Sequence, residues 1–391
     1  MLLGFKTKLK LNNKQQTTLA KHAGVARHAW NWGLSATRFI LDHNKQNPDS
    51  KIKFPSAIDL HKLLVKIVKP EYPWYYEISK CAPQYALRDL RNAWDRCFKQ
   101  ISNPPKFKKK GRHDSFTLDG IIKVKGDKCI QVPVIGKLRT YERLPQVPIK
   151  NVTISRQADS WFISFKIELK ERPQIQTDCP VGVDLGLLSF AKLSTGETID
   201  APRPFKTLQI KLTKLQWRNR NKQIGSNNWR KAQIKIARLH ARIANIRKDF
   251  IHQFTTKLAK NHSEIVIEDL NVSGMLSNCK LSKAIADSGF YETSRQLTYK
   301  TNLYGSKLIV ADRWFPSSKL CSCCGRKKDV LLLSERFYSC ECGWICDRDF
   351  NAAINLVRLV KSDFMPVDKK EPSPLAEAGS KQQIMVQVAL G

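Results

Sequence analysis

Three separated stretches of the chain end an apolar run in carboxylates: VGVDLG around Asp184, IVIEDL around Glu268 and Asp269, and CDRDFNAAINL around Asp347 and Asp349. Each has an ordinary reading on its own. Asp184 can satisfy a turn, Asp269 can close a chain end, and Asp349 can cap the helix that opens at NAAINL. Taken together they are the oxygen donors that Mg2+ requires, a hard cation that takes carboxylates and keeps several waters. Two such ions a few ångströms apart can activate water and stabilise the leaving oxygen when a phosphodiester is cut. Acid is scarce elsewhere, with 34 Asp and Glu against 68 Lys and Arg. Carboxylates held at buried strand ends need a compensating cation. Acids on one strand, a later strand and a helix are the arrangement of an RNase H-like α/β fold.

The cysteines offer a second chemistry. CSCCGRKKDVLLLSERFYSCECG contains C-x2-C at Cys321 and Cys324 and C-x-C at Cys340 and Cys342, with fifteen residues between Cys324 and Cys340. Glycines follow both pairs, as the tight turns of zinc knuckles need. Four thiolates so spaced make a structural Zn2+ site with no ligand position left open for catalysis. C-x-C stands where C-x2-C is usual, and Cys323 and Cys346 are thiols that could substitute.

The partner of such a chain is set by its charge. A formal net charge of +34 on 391 residues repels itself unless a polyanion neutralises it, and nucleic acid is the usual polyanion. A membrane surface would favour one polybasic patch beside an amphipathic anchor, whereas Lys and Arg here run through the whole sequence. No stretch approaches the roughly 18 apolar residues of a membrane span, and the N-terminus lacks a signal-peptide run. A cytoplasmic protein is expected, its 11 cysteines thiols or metal ligands rather than disulfides. A hydrophobic fraction of 42% supports real cores, and the length suggests roughly two to four domains.

Periodicity supplies the elements that position these residues. Leu19, Ala23, Ala26, Trp30 and Leu34, then Leu87, Leu90, Trp94, Cys97 and Ile101, step at helical intervals and predict a small bundle. NPPKFKKKGR (103–112) breaks the helices and reads equally as a solvated linker or a phosphate-contacting loop. From Phe116 to Leu169 the period falls to two, with Trp161, Ile163, Phe165, Ile167 and Leu169 on one face, predicting a small antiparallel sheet or barrel. ERPQIQTDCP is a linker, and two strands with a tight turn follow it. A long basic helical stretch comes next, with thirteen Lys or Arg and no acid from Lys206 to Lys248, on a seam of Ile236, Leu239, Ile243, Ile246 and Phe250. Solvated charged faces are normally mixed in sign, so this helix is expected to face phosphates. A buried strand ends at Glu268, and a last helix runs from about Phe350 to Val360. The polar tail from Lys361 is expected to be disordered.

With these pieces in order the sequence resembles the TnpB family, transposon-encoded RNA-guided nucleases related to type V CRISPR effectors. The resemblance is carried by GVDLG, IVIEDLNVSGM, FPSSKLCSCCG and CGWICDRDFNAAINL in the family's order. KHAGVARHAWNWGL and PPKFKKKGR add to it, so that it covers roughly residues 1–358. The shortened C-x-C and the tail depart from the pattern.

The resemblance implies an RNase H-like (RuvC) nuclease domain over 178–312 and 346–360 with a zinc-ribbon insertion at 313–345. It also implies a β-barrel over 1–10 and 103–172 that contains a helical recognition domain at 11–102. Asp184, Glu268 and Asp349 would be the Mg2+-binding acids. Asp349 is preferred to Asp347 because it sits in the family's D-x-N-A setting, and Glu268 to Asp269 because it ends the apolar run. The implied partners are a guide RNA from the transposon end and double-stranded target DNA bearing a short motif, with one protein copy per RNA. A transposase that joins DNA strands, or an accessory DNA-binding factor, is the alternative.

Overall fold

A computed structural model describes residues 2–168, 179–332 and 334–360. The sequence's expected tail, and most of its expected linker, lie outside these residues. The chain divides into two compact units, Met1–Pro173 with Arg203–Phe250, and Gln174–Pro202 with Ile251–Gly391.

In the first unit, β1 (Leu2–Lys10), β2 (Ser115–Val124), β3 (Cys129–Val132), β4 (Gly136–Thr140), β5 (Ile149–Gln157) and β6 (Ser160–Glu168) close into a barrel in the order β1-β4-β3-β2-β5-β6. The alternation expected from sequence is realised, since Trp161, Ile163 and Phe165 are buried with Leu118, Val152 and Ile154. Between β1 and β2 the chain makes α1 (Asn13–Gln46), α2 (Ala57–Leu63), a short turn α3 (Lys69–Glu71) and α4 (Cys81–Phe98). Asn12 and Gln15 start α1 with a reciprocal capping box, satisfying two of the helix's unpaired donors. Leu19, Ala23, Ala26, Trp30 and Leu34 are its buried stripe, and Leu87, Leu90 and Trp94 that of α4. The expected seam runs one turn too far, for α4 stops at Phe98 and Ile101 is exposed.

The segment 103–112 is pinned to α1. Trp30 Nε1 donates to the Lys106 carbonyl at 3.1 Å, and Arg38 to the Pro105 carbonyl at 2.9 Å. Asn31 grips both backbone groups of Lys108, accepting from its N–H at 2.8 Å and donating to its carbonyl at 2.9 Å. The stretch is thus anchored at Pro105, Lys106 and Lys108, while eight of its ten residues remain exposed.

The basic stretch is two helices, α5 (Pro204–Asn219) and α6 (Asn227–Asn261). Gly225 at φ +87° makes the break, and Ser226 Oγ accepts from the Trp229 N–H at 3.2 Å as α6 begins. They pack through Leu212, Leu239 and Ile243, leaving eleven of the thirteen basic side chains exposed and Lys222 and Arg247 half-buried.

The second unit is a five-stranded sheet of β7 (Val181–Leu185), β8 (Ala191–Leu193), β9 (Thr198–Ile199), β10 (Glu264–Glu268) and β11 (Lys307–Ala311). Its order is β11-β10-β7-β8-β9, with β11, β10 and β7 parallel and β7, β8 and β9 an antiparallel meander. Helices α7 (Val272–Leu276), α8 (Ser282–Ser288) and α9 (Phe290–Tyr304) connect β10 to β11. The hairpin β12 (Phe337–Ser339) and β13 (Ile345–Asp347) leads into α10 (Arg348–Arg358). Helix α10 packs on β7, where Gly182 admits it: a Cβ there would lie 2.0 Å from the Ala353 carbonyl oxygen. Among the described residues, no helix is long and apolar enough to cross a membrane.

Candidate metal-binding carboxylates and a four-cysteine cluster

Asp184 and Glu268 come together because their strands are parallel neighbours in register. Val183 pairs with Ile267, so the next residue on each strand, Asp184 and Glu268, stands at the same carboxyl-terminal edge. Asp349 arrives on the first turn of α10. Ala353, one turn further on, is the residue seated on Gly182, which sets Asp349 towards the Asp184 end of β7.

Electrostatics shows that these acids face one another. Asp184 is held well above the usual carboxylate range, first by burial, then by Glu268, then by Asp349, with Asp347 adding a little. Arg348 is the one cation that acts the other way. Three to four carboxylates against one guanidinium is an oxygen-rich, under-neutralised set, which suits a hard divalent cation. Glu268 is oriented by Ser317, whose Oγ donates to its Oε1. Arg348 lies 3.5 Å from Asp349.

The neighbouring acids are engaged differently. Asp347 caps α10, accepting from the Phe350 N–H at 2.9 Å. Asp269 pairs with Arg313 at 2.6 Å, both side chains nearly half exposed.

The Sγ atoms of Cys321, Cys324, Cys340 and Cys342 all lie within 4.8 Å of one another. Cys321–Cys342 and Cys324–Cys340 are each 3.6 Å apart, close to the roughly 3.8 Å that tetrahedral bonds of about 2.3 Å to one ion impose. The Arg326 backbone N–H brings the Cys324 thiol down to about 7, which favours the ligating thiolate. Gly325 and Gly343, at φ +77° and +86°, make the two turns. Cys323 and Cys346 stand outside the group. Tyr338, fully buried, donates to the Lys319 and Arg326 carbonyls and closes the knuckle from beneath.

Sequence reasoning missed the residues that tie the two clusters together. Asn351 and Asn355, both fully buried on α10, hold the segment 317–322. Asn351 donates to the Leu320 carbonyl at 2.6 Å and accepts from the Ser322 N–H at 2.9 Å. Asn355 donates to the carbonyls of Ser317 and Leu320 at 2.8 and 2.7 Å. One helix therefore carries Asp349 and fixes both Ser317, the partner of Glu268, and the start of the cysteine knuckle. Two asparagines four apart in the otherwise apolar run from Phe350 to Val357 were the available signal.

Three family models match successive parts of the chain. Residues 1–45 match a family model described as "Helix-turn-helix domain", 163–278 one described as "Probable transposase", and 290–356 one described as "Cas12f1-like, TNB domain". The chain is 35% identical over 359 residues to a "Putative RNA-guided DNA endonuclease" of Streptomyces pristinaespiralis, covering 90% of this chain and 88% of that one. It is 31% identical over 377 residues to "Putative RNA-guided DNA endonuclease InsQ" of Escherichia coli (strain K12), covering 91% and 92%. "TnpB-like protein L79" of Acanthamoeba polyphaga mimivirus is 27% identical over 194 residues, or 46% of this chain and 36% of that one. The chain belongs to the TnpB family. In this TnpB-family chain the region matching the helix-turn-helix description is a barrel strand followed by one unbroken 34-residue helix. The region matching the TNB domain holds α9, β11, the cysteine knuckle and nearly all of α10.

Proposed function

We propose that the protein is an RNA-guided DNA endonuclease, cleaving phosphodiesters at a RuvC-type site of Asp184, Glu268 and Asp349. The observation that carries this reading is the convergence of those three acids at one edge of the sheet. The strand order β9-β8-β7-β10-β11, a meander continued by two parallel strands, supports an RNase H-like fold for 178–312 and 346–360. On the same reading 313–345 is a zinc ribbon, and 11–102 a recognition domain within the barrel of 1–10 and 103–172. The curated relatives that match over most of the chain carry the endonuclease name.

Asp184, Glu268 and Asp349 would hold the catalytic Mg2+. Two bound Mg2+ ions would supply activation of water and stabilisation of the leaving 3′-oxygen. The rest falls to the chain's own residues. Ser317 fixes the rotamer of Glu268, Arg348 offsets part of the carboxylate repulsion, and α10 carries Asp349 as a rigid unit. The exposed basic faces of α5 and α6 would grip phosphates, leaving sequence choice to guide pairing and a short DNA motif. The partners are then a guide RNA from the transposon end and double-stranded DNA, met in the cytoplasm by one protein copy per RNA.

The test is to express the gene with its native downstream flank, purify the protein in high salt and sequence the RNA that accompanies it. A discrete RNA from the end of the element is expected. A well-folded protein with no enriched RNA would favour a DNA-only transposase or an accessory factor.

The four thiols would hold one structural Zn2+. Metal analysis of the purified chain should find one zinc per chain, and Cys324→Ser should lose it with a lower Tm. A zinc-free protein whose Tm ignores both chelator and this substitution would overturn the assignment.

A further inference from the structure

A polar pocket of about 290 Å3 lies in the first unit, between α1, α4 and the outer face of β2, β5 and β6. Three cations line it, one from each of three unrelated stretches: Arg88 on α4, Lys108 from the pinned segment and Lys166 on β6. One acid, Asp89, shares the pocket, so its formal charge is close to +2. We propose that this pocket is a binding site for a phosphate group of nucleic acid, an inference that rests on the nucleic-acid reading above and locates one point of contact.

Two of the three cations, Lys108 and Arg88, are held in place before any ligand arrives. Asn31 clamps both backbone groups of Lys108, and the Lys108 ammonium lies 3.8 Å from the centre of the Trp30 ring. Arg88 stacks on Tyr85 at 4.0 Å, and Asp119 in turn accepts from the Tyr85 hydroxyl at 3.0 Å. Preorganised cations lose little freedom on binding, which favours a localised anion over a diffuse ion cloud. Burial lowers the affinity of Lys108 for its proton, and the neighbouring Asp89 partly offsets this.

The floor supplies neutral donors. Thr117 and Thr153 are 2.9 Å apart, oxygen to oxygen, and only one of their two hydroxyl protons can lie between them. The other proton is available to a ligand, as is the Asn151 carboxamide beside it. Positive charge at the mouth with hydroxyl and amide donors below is the donor set of a phosphate oxygen cluster. An apolar ligand would meet none of its needs here. A carboxylate would use the charge and leave donors idle.

The test uses the full chain, stripped of copurified RNA in high salt, with two probes: a short random-sequence DNA duplex and a short single-stranded RNA. Arg88→Ala and Lys166→Ala should each weaken binding of at least one probe by about tenfold. Each should also reduce the salt slope, by about 0.9 for duplex or about 0.7 for single strand. Asp89→Asn, which removes the opposing charge, should strengthen the same probe by about threefold. Loss confined to the duplex assigns the phosphate to DNA, and loss confined to the single strand assigns it to RNA. Unchanged affinity and slope in both Ala variants, or weakening by Asp89→Asn, would overturn the pocket assignment while wild type still binds. Wild type that binds neither probe would instead remove the nucleic-acid reading itself.

Discussion

Asp184→Asn is expected to abolish guided DNA cleavage, leave binding of RNA and DNA within about twofold, and raise Tm in metal-free buffer. The stability arm follows from the direction of the Asp184 shift. Burial and the neighbouring Glu268 and Asp349 disfavour its charge, so its folded-state affinity for a proton exceeds that of the unfolded chain. A raised folded value contributes stability that is complete below the unfolded value of about 3.9 and is lost as pH rises through the folded one. Above the folded value the wild type has lost that contribution, and the uncharged amide avoids the repulsion. The Tm advantage of the variant should therefore shrink as pH falls. It should shrink also when Mg2+ is added, because the ion stabilises only a protein that holds it. Measuring Tm with and without Mg2+, beside a single-turnover cleavage assay, separates the site from a merely structural carboxylate. Cleavage near the wild-type rate, or equal Mg2+ stabilisation of both proteins, would remove Asp184 from the site.

Much of this was legible in the sequence because it rested on period, charge and spacing. Trp161, Ile163 and Phe165 announce a strand by alternation, and Leu87, Leu90 and Trp94 a helix by 3,4 steps. Asp184 and Glu268 were visible because an acid ending an apolar run is a costly choice that calls for a reason. Pairing of the four cysteines is also a matter of local spacing.

What escaped depends on contacts between residues far apart in sequence. Arg38, Trp30 and Asn31 pin the segment 105–108 by meeting its backbone carbonyls and N–H, and backbone partners leave no trace in side-chain pattern. The basic stretch reads as continuous because eleven of its thirteen cations lie in helices on either side of Gly225. One glycine in a positive-φ turn then divides it. Ser317 looks like any loop serine until Glu268 is placed opposite it. Gly182 reads as a weak strand former, yet it is the residue on which the helix bearing Asp349 depends.

Gly182→Ala should therefore be the most damaging single methyl in the second unit. Its new Cβ would meet Ala353 O at 2.0 Å, Val357 N at 2.8 Å and Ala353 C at 3.0 Å. All three are backbone atoms of α10, which cannot rotate away, so the helix must lift by more than a bond's length or β7 must bend. Overpacking of this kind costs about 1–3 kcal/mol even where neighbours can shift. Here the neighbour is a helix held at its other face by Asn351 and Asn355, so about 3 kcal/mol or more is expected. The functional loss should exceed the stability loss. Lifting α10 carries Asp349 away from Asp184 and drags the 317–322 segment, disturbing Glu268 through Ser317 and the knuckle through Cys321. A misplacement of about 1 Å at a reacting centre can alone cost about 100-fold in rate. Gly33→Ala is the matched control: its Cβ would approach Leu87 and Leu90 at 2.7 and 3.0 Å, but only the movable Cδ2 ends. It should lower Tm mildly and leave cleavage close to wild type. Thermal melts, zinc content and cleavage measured on both variants decide the matter. A Gly182→Ala protein with wild-type Tm and rate would mean that α10 does not rest on β7 at this residue, and the route from Gly182 to the acids would fall with it.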